Sequence, residues 1–178
     1  MKIAVLIGSL QAESINRVLA KNLKALAPED VEFIYLDIDL PPFNQGLEDK
    51  LPVKVSALKT AIETADGVLV VTPEYNRSIP GVLKNAIDWA SRPYGSNSFN
   101  EKPTGIIGAS FGSTGTAQAQ AQLRNVFIYL NTKLMGQPEL YISAERTFDE
   151  AGSVKEDSKE FLQDYIDAFI KHVEASRG

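Results

Sequence analysis

The chain has no cysteine among its 178 residues. That excludes a disulfide, a thiolate nucleophile and a cysteine-ligated iron–sulfur cluster. It has one histidine, His172, near the C-terminal end, which argues against a histidine-built zinc site and against a Ser-His-Asp triad, so no metal site is expected. No apolar run approaches the roughly 20 residues that span a bilayer. The first apolar stretch, Ile3 to Ile7, leads directly into a polar turn and does not have the pattern of a signal peptide. Lys and Arg form no block, and the net charge is −5, so an electrostatic grip on nucleic acid or an anionic membrane is not expected. These absences describe a cytoplasmic protein whose chemistry comes from outside its side chains, and a bound organic cofactor is the obvious supplier.

What is present is an ordinary globular composition, 44% hydrophobic and 23% charged, in a length that suits one domain, 1–178, with a sizeable core. The chain is organised around residues 2–16, KIAVLIGSLQAESIN. A short apolar run stops at Gly8, a polar loop carries Ser9, Gln11, Ser14 and Asn16, and helical periodicity begins at once with Ile15, Val18, Leu19 and Leu23. This predicts a buried strand, a tight turn and a helix whose N-terminus is dressed with hydroxyl and amide groups. Ser in this place is a good helix cap, and a helix start with unpaired N–H groups can also hold a phosphate.

Further along, residues 31–38 alternate as a second strand, and Val55, Leu58 and Ile62 share a helical face. DGVLVVT (66–72) is a near-continuous apolar run, as in a strand covered on both faces, and it ends in the turn-rich PEYNRSIPG (73–81). A helix is predicted from about Ile79 to Ser91, with Ser78 as its cap and Pro80 in its first turn. TGIIGAS (104–110) is a fourth strand, FGSTG (111–115) a Gly-rich turn and 116–132 a helix; Glu139 to Ser143 is a short fifth strand, and the last helix covers about 155–174. Strands alternating with helices predict an α/β three-layer sandwich with a five-stranded parallel sheet in the order 2-1-3-4-5. The polar turns 8–16, 73–80 and 110–116 then all open at the carboxyl edge, near the switch point where such sheets bind ligands.

The dinucleotide fingerprint GxGxxG and the phosphate loop GxxxxGK[ST] are both absent after the first strand. A turn of hydroxyls, amides and backbone N–H groups without Lys or Arg suits a single phosphate monoester, such as that of FMN. GSL-x-x-x-S-x-N (8–16), TPEYN (72–76), SIPG-x-LKNAIDWASRP (78–93) and IIGAS-x-G (106–112) resemble the NADPH-dependent FMN reductase family, which has the flavodoxin-like fold and includes quinone, azo and chromate reductases. The resemblance covers nearly the whole chain.

It implies FMN as cofactor and NADPH or NADH as reductant, with flavin N5 carrying the chemistry and no catalytic side chain. It implies that Ser9, Gln11, Ser14, Ile15 and Asn16 surround the phosphate, that Pro73, Glu74, Tyr75 and Asn76 line the isoalloxazine ring, and that Ser110, Phe111 and Gly112 close the pyrimidine side and the ribityl chain. It also implies a small-molecule electron acceptor and a homodimer or homotetramer, with 92–101 (Tyr94 and Phe99) and 41–52 as contact candidates. The sequence departs from the family pattern at Gln11, where many relatives carry Arg, and at Thr116, Ala117 and Gln118, where many carry small residues plus Arg. A neutral residue at position 11 implies a weaker hold on the phosphate.

Two further expectations follow. The N-terminus of the helix after Gly115, with the backbone of 111–115, is expected to stabilise the charge of reduced flavin. Arg77 and Arg92 are the best nearby cations for nicotinamide phosphates, although each reads first as an ordinary surface charge. Trp89 reads as core, Arg124 as structural, Lys84 and Asp88 as an i,i+4 pair. A one-electron carrier of the flavodoxin type, and a flavin-free binding module, remain as alternatives on the same scaffold.

Overall fold

The opening apolar run forms β1 (Lys2–Ile7), buried at every position after Lys2. The turn beyond it delivers the chain into α1 (Ile15–Leu26), where Ser14 is the N-cap and its Oγ accepts from the Asn16 N–H. The computed structural model describes residues 1–176. Next to β1 lie β2 (Glu32–Tyr35) and β3 (Gly67–Val71), and β4 (Pro103–Ser110) lies outside β3, all parallel. The order β2-β1-β3-β4-β5 is the expected one. Right-handed crossovers place α1 and α6 (Glu156–Ala175) on one face and α2 (Val53–Thr64), α3 (Gly81–Ala90) and α4 (Ala117–Tyr129) on the other. A single turn of helix, α5 (Ala144–Thr147), precedes α6.

The fifth position of the sheet differs from expectation. Two short strands share it: β5 (Lys133–Leu134) pairs with Pro103–Thr104, and β6 (Tyr141–Ser143) pairs with Gly108–Ser110. The predicted strand 139–143 is the second of these. Between them lies Pro138, which has no N–H to give a ladder, so the strand breaks there.

Other local departures have equally simple causes. Pro80 takes the N-cap position of α3, and Ser78 instead donates its Oγ–H to Gln122 Oε1 at 2.7 Å. Of the two contact candidates in 92–101, Phe99 is fully buried, edge-on to Phe127 with ring centroids 5.3 Å apart, while Tyr94 is 86% exposed. The buried Lys59 ammonium holds that loop by donating to Ser96 O and Ser98 Oγ. Trp89 is core, with its Nε1–H on Pro41 O at 2.8 Å. Lys84 pairs with Asp88 at 2.7 Å, and Arg124 ties α4 to Met135 O and Glu139. His172 at the end of α6 meets Lys133 O at 2.7 Å.

Tyr165 of α6 packs its hydroxyl over Gly105, wholly buried, and that hydroxyl has no hydrogen-bond partner among the described residues. Burial pushes its pKa well above the ordinary 10.0, against a smaller downward pull from Arg124. A phenol that ionises in the unfolded chain but not in the folded one leaves stability untouched below pH 10.0 and erodes it as pH climbs beyond. Tyr165→Phe is therefore expected to stabilise the fold by about 1 kcal/mol, since it removes an unpaired buried hydroxyl. It should also flatten the alkaline arm of a stability-versus-pH curve. Loss of stability at neutral pH in that variant would show that the hydroxyl is satisfied.

Candidate functional site

Three turns meet where β1, β3 and β4 end. The first is shaped from within: Ser9 Oγ accepts from Gln11 N–H at 3.2 Å, and Gln11 O accepts from Ser14 N–H at 3.3 Å. The amides of Ala12, Glu13 and Ile15 have no acceptor among the described residues, as befits the open start of a helix.

The second turn is a two-residue reversal. Tyr75 and Ser78 exchange both backbone hydrogen bonds, at 3.2 and 3.0 Å, with Asn76 at φ 52° and Arg77 at φ 63° between them. These are the left-handed values of a type I′ turn, which Asn accepts easily. Arg77 does not, and its strain costs about 1 kcal/mol or more. The turn keeps its shape because α4 holds it. Glu74 Oε2 accepts from the N–H groups of Gln118 (2.9 Å) and Ala119 (3.0 Å), and Gln122 Nε2 donates to Arg77 O at 2.9 Å.

The third turn closes on Ser110, whose Oγ–H donates to Gly115 O at 2.7 Å. Gly115 has φ +57°, and a Cβ there would stand 2.5 Å from the Tyr141 carbonyl carbon. Phe111 is 75% exposed at the tip, and the amides of Phe111, Gly112, Ser113 and Thr114 have no acceptor among the described residues.

Between the turns is a cleft of about 300 Å³, lined by Gln11, Ser14, Ile15, Asn16, Pro73, Glu74, Tyr75, Ser110 and Phe111 together with Glu13 and Ala109. Three of the expected residues do not line it: Ser9, Asn76 and Gly112 sit within the turns and give them their shape. Glu13 and Ala109 were missed, since neither stands out by residue type in its turn.

Two expectations change in the site itself. Asn16 is fully buried, and its side chain is used by β4: Nδ2 donates to Ala109 O at 3.0 Å and Oδ1 accepts from Ala109 N–H at 2.9 Å. It fastens α1 to the sheet while Asn16 also lines the cleft, so one of the two side-chain N–H groups and the Oδ1 are taken up by β4. The start of α4 is likewise already matched by a charge, because the Glu74 carboxylate occupies two of its N–H groups. Stabilisation of reduced flavin would then fall to the open amides of 111–114 rather than to the helix end. Arg92 pairs with Glu48 at 2.8 Å, so of the two expected cations Arg77 alone has no ion-pair partner among the described residues.

The donor set suits a flavin mononucleotide. Open amides of Glu13, Ile15, Glu74 and Phe111 border one cleft, beside the hydroxyls of Ser14 and Ser110 and an aromatic wall of Tyr75 and Phe111. A parallel sheet in this order, with a donor-lined cleft at its switch point, defines a flavodoxin-like mononucleotide-binding protein. The sequence profile of the NADPH-dependent FMN reductase family matches residues 1–147, and the chain belongs to that family.

Among curated relatives, the 2-hydroxy-1,4-benzoquinone reductase of a Burkholderia species is 47% identical over 180 residues, covering 99% of this chain and 98% of its own. A quinone reductase of Pseudomonas putida is 39% identical over 178 residues, covering 98% and 96%. Among solved structures, a flavoenzyme NAD(P)H:(acceptor) oxidoreductase from Paracoccus denitrificans superposes with a TM-score of 0.92 at 47% identity, covering 98% of both chains. A flavodoxin from Pseudomonas aeruginosa, at TM-score 0.63 and 21% identity over 96% of this chain and 99% of its own, shares the fold. The chain is thus an oxidoreductase of a family that uses FMN with NAD(P)H.

Proposed function

We propose that residues 1–178 act as a single FMN-binding domain that passes hydride from NADH or NADPH to small-molecule acceptors: quinones, azo compounds, free flavin or metal oxyanions. The observation that carries this reading is the set of open backbone amides from three separate turns around one cleft. In this scheme the Ser14 hydroxyl and the open amides of Ala12, Glu13 and Ile15 hold the phosphate at the start of α1. Pro73, Glu74 and Tyr75 border the ring, and Ser110 with the 111–114 backbone closes the opposite side. Bound FMN supplies the chemistry, accepting hydride at N5 and handing it on. The side chains orient the ring and keep water away; none needs to move a proton for the first transfer, and the Glu74 carboxylate is engaged with α4.

No helix among the described residues is long and apolar enough to cross a membrane; dependence on a nicotinamide reductant supports a cytoplasmic location. A homodimer or homotetramer is supported by the groove between α3 and α4, where Tyr94 and Tyr129 are 86% and 80% exposed beside Val126 and Leu130.

The test is anaerobic titration of the FMN-loaded protein with each nicotinamide, then with a panel of acceptors, alongside its mass in solution. The expected result is loss of flavin colour in one two-electron step, recovery on adding a quinone, and a mass of two or four chains. A reduction that halts after one electron would indicate a carrier instead. A colourless protein that takes up no FMN would overturn the flavin reading altogether.

A further inference from the structure

The cleft has an electrostatic oddity. It would receive a phosphate carrying about −1.5 to −2 charges at neutral pH. Yet its walls bring two carboxylates, Glu13 and Glu74, and no cation. Gln11, which lines the cleft in the first turn, is neutral. Within the first turn of α1, however, the half-buried Arg17 reaches back over the loop, and its Nε–H donates to the Gln11 carbonyl at 3.1 Å. That bond uses one of the five guanidinium donors. The two terminal nitrogens have no acceptor among the described residues, and no carboxylate pairs with them, unlike Arg92 and Arg124, which meet Glu48 and Glu139.

We propose that Arg17 is the phosphate-directed cation of this chain, standing in for the neutral Gln11. The inference rests on the FMN reading above and assigns a residue that the sequence pattern does not single out. Anchoring through Nε fixes the planar guanidinium beside the loop and leaves its outer edge for a bidentate contact with phosphate oxygens, which an ammonium cannot reproduce in the same geometry. The carboxylate of Glu13 in the same loop makes such a cation the more necessary, because a dianion held by neutral donors alone would face it unscreened.

Affinity for two flavins separates this role from simple bracing of the loop. Flavin-free protein is titrated with FMN and with riboflavin, which differ only in the phosphate, for the wild type, Arg17→Gln and Arg17→Lys. Arg17→Gln should weaken FMN binding about tenfold to a hundredfold, the range of a charged hydrogen bond, and leave riboflavin within about twofold. Arg17→Lys should fall between, and adding Gln11→Arg to Arg17→Gln should recover most of the lost affinity. The wild-type preference for FMN should shrink with added salt more than that of Arg17→Gln. Equal losses for both flavins, or no loss for FMN, would overturn the assignment while leaving the flavin site standing. Wild-type protein that binds neither flavin would instead remove the reading on which it rests.

Discussion

Asn16→Ala is expected to lower the unfolding free energy by about 2–5 kcal/mol, because it strips partners from two buried backbone groups at once. In the native chain the Asn16 amide faces Ala109 like a piece of β-strand, giving and receiving one hydrogen bond at 3.0 and 2.9 Å with the side chain fully buried. Truncation leaves the Ala109 N–H and C=O unpaired beside the cleft and opens a void against β4. For a chain of this size the loss corresponds to a fall in midpoint temperature of roughly 5–15 °C. Asn16→Asp is the informative companion. It keeps the acceptor for Ala109 N–H but sets a buried carboxylate against Ala109 O, so it should be about as damaging as alanine. Because α1 is seated on β4 through this contact, both variants should also lose FMN. Melting of the flavin-free proteins is the decisive measurement, since it reads the seating without the ligand. A change below about 0.5 kcal/mol, the level of a neutral surface substitution, would show that the contact is not structural.

The same residue marks how far the sequence could be read. Strand and helix periods, the 2-1-3-4 part of the sheet, the placement of three turns at one edge and the left-handed tolerance of Asn76 are all local or follow from crossover handedness, and they were legible. Asn16 and Glu74 were singled out for the cleft, which both line, but their second duty of joining distant elements was not. Their partners lie 93 and 44 positions away, and nothing in a local pattern says that Ala109, or the start of α4, is what each faces. The divided fifth strand was half legible. Tyr141–Ser143 alternates visibly, whereas Lys133–Leu134 is too short to show a period and owes its place to the edge of β4. Phe99 was misplaced for a related reason: the polar composition of 92–102 reads as exposed loop, while the buried Lys59 and the edge of Phe127 draw one of its aromatics inside. Arg17 followed the motif rather than belonging to it, and only its reach back to Gln11 makes it visible.

The largest effect should come from a single methyl group near the carboxyl edge of the sheet, between β3 and β4. Gly108 of β4 runs so close to the end of β3 that a Cβ would lie 2.0 Å from the Thr72 carbonyl oxygen and 2.4 Å from Thr116 Oγ1. Neither can yield cheaply. Thr116 is fully buried at the start of α4. Thr72 is held by its N–H on Ile107 O at 2.9 Å, and the adjoining Val71 O accepts from Gly8 N–H at 2.9 Å. Pushing Thr72 aside therefore unpicks the ladder on both sides of the point where the three turns meet. Gly8 is under the same constraint, since a Cβ there would stand 3.0 Å from Pro73 Cδ and 3.1 Å from Thr72 Oγ1. Gly108→Ala is accordingly expected to cost more than about 3 kcal/mol, at or beyond the upper range for overpacking a core. It should also leave little protein able to hold FMN. Gly81→Ala is the control: it adds the same methyl in the first turn of α3, where a Cβ would meet nothing within 4 Å. It should be neutral or stabilising by up to about 1 kcal/mol, through the reduced freedom of the unfolded chain. Denaturant melts of the two variants side by side test the idea that backbone proximity at Gly108, rather than the loss of glycine as such, holds the site together. If Gly108→Ala unfolded within about 1 kcal/mol of Gly81→Ala, β3 and β4 would have room to part there without disturbing the cleft.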